Sequence, residues 1–95
     1  MAAYLIARAD VHDTEVYKAF LKPTLAALEK TGGQVLADGG NCEQLEGEGR
    51  SRNIIVRFPD MDAARAYFND PDIQAVIGAQ QHGWTRDTVI VGGAS

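Results

Sequence analysis

Two arginines, Arg8 and Arg57, are the residues best suited to bind an anion. Each lies in a short apolar segment at alternate positions from another polar or aromatic side chain, Tyr4 in the first segment and Asn53 in the second. Alternate residues of a strand share one face, so adjacent strands would bring both guanidinium groups to one end of that face. Two such groups would bind a carboxylate, enolate or phosphate through forked hydrogen bonds. The alternative is ordinary ion pairing with an aspartate, for which the candidates are Asp10, Asp38 and Asp87.

His12 and His82 are the candidate catalytic residues, because imidazole exchanges protons near neutral pH. His12 is predicted in a strand-to-helix loop, and His82 stands beside Gly83 at a helix end, where contact with the helix carbonyls is the competing structural role. Cys42 is the single cysteine, and nothing in the sequence places it beside a histidine. These residues lack the spacing of metal ligands, so we expect no metal site and no cofactor.

Aromatic residues are the other candidates for contact with a ligand. Trp84, Tyr67 and Tyr4 would suit a flat molecule, although Tyr67 also fits the apolar stripe of a helix and would then belong to the core. The predicted ligand-binding residues are therefore Arg8, Arg57, Tyr4, Asn53 and Trp84.

Composition limits the class of protein and its partners. The chain has 95 residues, 45% of them hydrophobic and 23% charged, which predicts a single globular domain over residues 1–95. Its formal net charge is −4, and its nine basic residues do not cluster, so neither nucleic acid nor an anionic membrane is an expected partner. One cysteine, no recognisable signal peptide and no long apolar run predict a cytoplasmic location.

The first half of the chain predicts a strand, a helix and a strand. Residues 3–9 form an apolar run that is typical of a strand. Asp13 is suited to cap the helix that follows, and the glycine pair at 32–33 is suited to end it. Residues 34–37 predict the second strand, and residues 42–46 either continue it after a bulge or form a hairpin arm.

The second half predicts a strand, an interrupted helix and a strand. Arg52–Phe58 is the clearest strand, and Asp60 is suited to cap the next helix. That helix is interrupted before Pro71, where Asp70 begins a new segment. Residues 85–91 predict the last strand. The order is βαββαβ, so we expect an α+β fold of the ferredoxin-like type with a four-stranded antiparallel sheet.

Apolar residues on both faces of this sheet predict a homodimer. Two helices cover one face of a four-stranded sheet, whereas the strands carry apolar side chains at consecutive positions. The side chains expected on the uncovered face are Tyr4, Ile6, Ile55 and Ile90. A second copy packed sheet to sheet is the simplest cover, and the alternative is a monomer with a partly wet face.

Several segments resemble one protein family. These are Asp-Val-His-Asp at 10–13, Leu-Glu-Gly at 45–47 and, most specifically, FPDMDAARAYFNDP at 58–71. The chain resembles, over nearly its whole length, the family catalogued as domain of unknown function 1330. The resemblance implies a dimeric α/β barrel, in which two ferredoxin-like subunits pack their sheets together. That superfamily includes cofactor-free monooxygenases, muconolactone-type isomerases and haem enzymes, so membership does not fix a function.

Three functions remain open from the sequence. The first is a dimeric protein that binds a small organic or anionic ligand, either between sheet and helices or inside the barrel. The second is a cofactor-independent monooxygenase or isomerase that uses Arg8, Arg57 and a histidine. The third is an interaction or stress-related module without pocket chemistry. The sequence does not decide whether the chain is an enzyme.

Overall fold

The computed structural model describes residues 1–39, 41–79 and 81–94. The elements, in chain order, are β1 (Ala3–Val11), α1 (Thr14–Thr31), β2 (Gln34–Gly39), β3 (Arg52–Phe58), α2 (Met61–Phe68), α3 (Pro71–Ala79) and β4 (Trp84–Gly92), with a short 3₁₀ turn at Gln81–Gly83 before β4. The order confirms the βαββαβ prediction, with the second helix divided into α2 and α3.

The four strands form one antiparallel sheet in the order β2-β3-β1-β4. The first strand therefore lies in the centre, between β3 and β4, and the two edges are β2 and β4. A register shift between Val35 and Ala37 places a bulge at Leu36 in the edge strand. This arrangement confirms the predicted ferredoxin-like α+β fold.

Aspartate caps begin the helices where the sequence predicts them. The Asp13 carboxylate accepts a hydrogen bond from the Glu15 amide at 3.0 Å, and the Asp60 carboxylate accepts one from the Ala63 amide at 2.8 Å. Asp70 accepts from the amide of Asp72 at 2.9 Å. These bonds satisfy amides that have no partner within their own helix. The positive φ of Gly32, 73°, ends α1 in the left-handed conformation that glycine adopts without strain.

The hydrophobic core lies between the helices and one face of the sheet. Phe58 and Ile73 are its largest fully buried side chains, and Leu5, Val56 and Tyr67 pack in the same cluster. Since β1 and β3 contribute alternate residues to this cluster, their intervening residues point to the other side. We call that uncovered side of the sheet the open face.

The open face is apolar along one half, and its composition corrects one prediction. Ile6 pairs with Ile55 on one side and with Val89 on the other, so these three side chains form a continuous row. Ile90 was predicted to belong to this face, which is wrong: it pairs with Leu5 and packs against the core. Val89 and Val91 stand on the open face instead, and they are 52% and 45% exposed. Tyr4, which pairs with Val91, extends the apolar half.

The segment between β2 and β3 covers the polar half of the open face. Residues 42–46 form no strand, so neither a continued strand nor a hairpin arm is present there. Arg50 reaches the carboxylates of Asp10 and Asp87 at 3.1 and 3.0 Å. Arg8 donates to the Gln44 side chain at 3.1 Å and to the Glu48 carbonyl at 3.2 Å. The apolar half keeps no such cover within the described chain.

None of the helices in the described ranges combines the length and the apolar character needed to cross a membrane.

Candidate ligand-binding cavity

A cavity of about 130 Å³ lies between α1 and the core face of the sheet. We call it the helix-side cavity. Its apolar wall is formed by residues from three strands and from the helices, including Leu5, Phe20, Leu28, Ile54, Val56 and Ile73. The small side chain of Ala7 leaves part of this space unfilled, since the neighbouring side chains are held in place by the core.

Exposed aliphatic side chains line the cavity on its outer side. Leu21 and Leu25 of α1 are 42% and 67% exposed, and Val35 of the edge strand is 46% exposed, yet all three contribute to the lining. Side chains that line a cavity and also meet solvent mark its mouth. An apolar mouth between α1 and β2 favours entry of an apolar molecule.

Arg86 brings a positive charge into this apolar space. It projects from β4 on the same face as Trp84, and its guanidinium lies 4.5 Å from the Trp84 ring centre and 5.0 Å from that of Phe20. Burial lowers its pKa, although arginine stays protonated in proteins. Within residues 1–39, 41–79 and 81–94, no carboxylate forms an ion pair with Arg86. The faces of the Phe20 and Trp84 rings attract this cation.

Two hydroxyl-bearing residues also line the helix-side cavity. Tyr67 is 6% exposed, and its burial raises the pKa of the phenol, against the opposing effects of Thr24 and Arg86. The Thr24 hydroxyl is near Tyr67, but it meets hydrogen-bond geometry with no group in the described chain. A ligand with a polar atom would therefore find an available donor or acceptor here.

Arg52 lies next to the helix-side cavity, against Tyr17 and Asp38 of its lining. It donates to the Tyr17 hydroxyl at 2.9 Å, stacks over the Tyr17 ring at 4.3 Å and approaches Asp38 at 3.6 Å. Between Arg52 and Arg86 lies a smaller space of about 30 Å³, which has Ala9 and Trp84 among its lining residues. The two spaces share five lining residues, which are Ala7, Tyr17, Phe20, Ile54 and Arg86.

Arg8 and Arg57 lie on one face, as expected, but not at one end of it. In the register of β1 and β3, Arg8 pairs with Asn53 and Arg57 pairs with Tyr4, so the two arginines stand at opposite ends. The expectation of a single paired-arginine site there is wrong, because the strands are antiparallel and the distance along them is four residues, about 13 Å.

The expected ion pairs of Arg8 and Arg57 are also absent among the described residues. Asp10 and Asp87 pair with Arg50, and Asp38 pairs with Arg52. Arg8 instead donates to the side chain of Asn53 at 3.1 Å and to the segment between β2 and β3.

The remaining predicted ligand-binding residues are divided between the two faces. Tyr4 and Asn53 belong to the open face, where Asn53 borders a more open depression of about 370 Å³ together with Cys42 and Ile55. Trp84 is buried on the helix side, where it meets Phe20 edge to face at 5.1 Å. Tyr4 and Trp84 therefore cannot line one pocket within one subunit.

The two histidines stand outside the helix-side cavity. The His12 ring shares a hydrogen bond of 3.0 Å with the Thr85 hydroxyl, and its backbone amide donates to the Gly83 carbonyl at 2.8 Å. His82 is exposed in the short turn before β4. Neither lines any of the cavities described above, so the histidines make no contact with the site that the geometry favours.

The residues that carry the cavity were missed because the last strand was assigned to the wrong face. Period-two alternation correctly separates Ile90 from Val89 and Val91, and it links Ile90 with Thr88, Arg86 and Trp84. The apolar character of Trp84 was a signal that this set faces inward. With that assignment, Arg86 would have been expected beside the core.

No three His, Cys, Asp or Glu side chains come together as a metal site requires anywhere in the part of the chain that the structure describes.

The fold and its open sheet face define a ferredoxin-like α+β protein with a cavity beneath its helices. The chain belongs to the family described as domain of unknown function (DUF1330), whose family model matches residues 2–94. No curated protein matches it.

Solved structures with this fold are distant in sequence. A protein of unknown function from Rhodopseudomonas palustris is 16% identical with a TM-score of 0.78, and the alignment covers 99% of this chain and 83% of that one. SnoaB, a cofactor-independent oxygenase from Streptomyces nogalater, is 19% identical with a TM-score of 0.66, covering 99% and 94%. A dimeric protein of unknown function and ferredoxin-like fold from Bacteroides fragilis is 15% identical with a TM-score of 0.61, covering 97% and 96%. At these identities the similarity establishes the fold alone.

Proposed function

We propose that this protein is a homodimer that binds a small organic ligand in the helix-side cavity of each subunit. The observation that carries the proposal is an apolar cavity of about 130 Å³ with an arginine that lacks an acidic partner among the described residues. Apolar cavities of about 150 Å³ bind molecules the size of benzene. The ligand is therefore a single ring or a short chain of similar volume.

Two pairs of consecutive strand residues, Leu5 with Ile6 and Ile54 with Ile55, provide a test of ligand binding in the cavity. The two members of each pair point to opposite sides of the sheet. We expect benzyl alcohol, a neutral single-ring probe, to shift the methyl NMR signals of Leu5 and Ile54, which line the cavity. The signals of Ile6 and Ile55, which belong to the open face, are the matched control and should stay in place. Shifts confined to Ile6 and Ile55, or no saturable shift at all, would contradict the proposal.

The proposed dimer uses the apolar half of the open face. Its support is the row of Ile6, Ile55 and Val89, together with the half-exposed Val91, which no described element of this chain covers. The dimeric relative of the same fold from Bacteroides fragilis is consistent with such pairing. Removing this surface from water favours association, because apolar burial contributes about 25 cal/mol per Å².

Cofactor-independent oxygenation is the second candidate function. The observation in its favour is the shared fold with SnoaB from Streptomyces nogalater, which is described as such an oxygenase. Its substrate would occupy the same helix-side cavity, beside the Tyr67 phenol and Arg86. Oxygen consumption in the presence of a single-ring phenol tests this candidate. Binding of the phenol without oxygen consumption would contradict it and leave the binding function.

A further inference from the structure

Arg52 and Arg86 face each other across the central strand β1, at a position where that strand carries only a small side chain. Both pair with Ala9 of β1, Arg52 from β3 and Arg86 from β4. Strands in a sheet are spaced by about 4.8 Å, so the two Cα atoms are about 10 Å apart. Because Ala9 has only a methyl group, no side chain of β1 separates the two arginines, and a space of about 30 Å³ remains between them.

The two arginines differ in how their charge is balanced. Arg52 lies 3.6 Å from Asp38 and is further held by the Tyr17 hydroxyl. Arg86 contacts the rings of Phe20 and Trp84 and, within the described ranges, has no hydrogen-bonding or ion-pairing partner. The charged residues that line the two connected spaces are thus two arginines and one aspartate, which leaves one positive charge in excess.

A carboxylate matches this arrangement better than a neutral group does. Its two oxygens are hydrogen-bonded side by side by a guanidinium group, and a charge-assisted bond is about twice as strong as a neutral one. The rings of Phe20 and Trp84 lie against Arg86, and less polar surroundings strengthen a charge-assisted hydrogen bond. A ring or short chain attached to the carboxylate would extend from Arg86 into the apolar helix-side cavity, which shares that residue.

We infer that the helix-side cavity selects small monocarboxylates, with the carboxylate bound by Arg86 beside Ala9 and the apolar part of the molecule packed beneath α1. This inference rests on the proposed function, because it names the class of ligand for the same cavity. Asp38 holds Arg52 in place, so Arg52 positions the anion by its charge and Arg86 forms the direct contact.

Benzoate and benzamide test the inference, since they share size and shape and differ in charge. The dissociation constant of each is measured by NMR or calorimetric titration of the full chain. We expect benzoate to bind at least about tenfold more tightly than benzamide, as for a hydrogen bond to a charged group. Arg86→Gln should remove this preference, because it weakens benzoate binding far more than benzamide binding. Arg65→Gln is the matched control, because Arg65 pairs with Asp62 on an exposed helix surface and should leave both affinities unchanged.

The outcomes separate the inference from the function on which it rests. Equal affinities of the wild-type protein for benzoate and benzamide would overturn the inference and leave the binding function intact. Absence of binding by both compounds would overturn the proposed function. If the Arg86→Gln variant still prefers benzoate to the same extent, Arg86 does not bind the carboxylate. If Arg86→Gln does not fold, Arg86→Lys keeps the charge without the planar fork and should reduce the preference without abolishing it.

Discussion

Gly33 lies where side chains of α1 and β3 leave no room for a side chain between them. A Cβ atom placed there would lie 2.5 Å from Leu28 Cδ2 and 2.8 Å from Phe58 Cε1. Leu28 and Phe58 are both buried in the core, so neither can move away without disturbing its neighbours. The absence of a side chain at Gly33 is therefore required for the helix to pack on the sheet.

Gly33→Ala should destabilise the protein by about 1–3 kcal/mol, the usual cost of overpacking a core. The measurement is the free energy of unfolding in urea. Gly78→Ala is the matched control, because a Cβ at Gly78 in α3 would contact nothing within 4 Å. Alanine there should stabilise the protein by about 0.5–1 kcal/mol through its higher helix propensity. Two changes of the same sign would contradict the packing argument.

Arg86 illustrates a conflict between stability and function at a single residue. Arg86 is half-buried and has no acidic partner among the described residues, so it loses hydration that aromatic contacts replace only in part. Such a residue adds little to stability, and a perturbed charged group in a cleft is a common feature of functional sites. Its position beside an apolar cavity is the strongest residue-level indication of ligand binding in this chain.

The segment between β2 and β3 is held to the sheet by ionic contacts at one end. Asp10 accepts a hydrogen bond from the Ser51 amide at 2.8 Å, and Arg50 bridges Asp10 and Asp87. The Ser51 amide and the Arg50 side chain together hold the pKa of Asp10 below its usual range. Because the folded pKa is depressed, these contacts are complete above about pH 4, the ordinary aspartate pKa, and are lost as the pH falls through the folded value.

Hydrogen exchange at the Ser51 amide reports on this attachment. We expect the protection factor of that amide to be constant near neutral pH and to decrease below about pH 4 in the wild-type protein. Asp10→Asn should lower it near neutral pH, because the neutral amide binds Arg50 and the Ser51 amide more weakly, and the difference from the wild type should shrink at acid pH. Asp62→Asn, which removes only the exposed pair with Arg65, should leave it unchanged. Constant protection down to pH 2 would show that Asp10 does not hold the segment.

At the scale of the whole molecule, the open face divides into two halves with different roles. The polar half, with Arg8 and Asn53, is covered by the chain's own segment between β2 and β3. The apolar half, with Ile6 and Val89, is left uncovered in the described chain and is the surface available to a second copy. The helix-side cavity lies on the opposite side of the sheet, so the proposed ligand entry and the proposed dimer would not compete.

Val89→Glu should convert the proposed dimer to a monomer, because it places a charge within the apolar half. Sedimentation velocity gives the subunit number, and native mass spectrometry also detects any retained ligand. The thermal midpoint of the wild-type protein should rise with protein concentration, as it does for proteins stabilised by association, and that of Val89→Glu should not. Leu45→Glu is the control, since Leu45 is 87% exposed and belongs to the segment between β2 and β3. If the Val89→Glu variant is still a dimer, the apolar half of the open face is not the interface.

The amino-acid sequence by itself determined the elements of this protein. Caps at Asp13, Asp60 and Asp70 began the helices where expected, and the order of the elements predicted the sheet. These features depend on neighbouring residues, so local patterns are sufficient to predict them. The uncovered apolar face was also predicted, because Tyr4, Ile6 and Ile55 alternate with core residues within single strands.

The candidate site was decided by the tertiary structure. Alternation along a strand tells which residues share a face, but it does not tell which face turns inward or which residues of distant strands become neighbours. For that reason Ile90 was assigned to the wrong face, and the pair Arg8 and Arg57 was expected where the register separates them. Arg52 and Arg86 are 34 positions apart in the chain, and they meet across Ala9 only because β1 pairs with both β3 and β4.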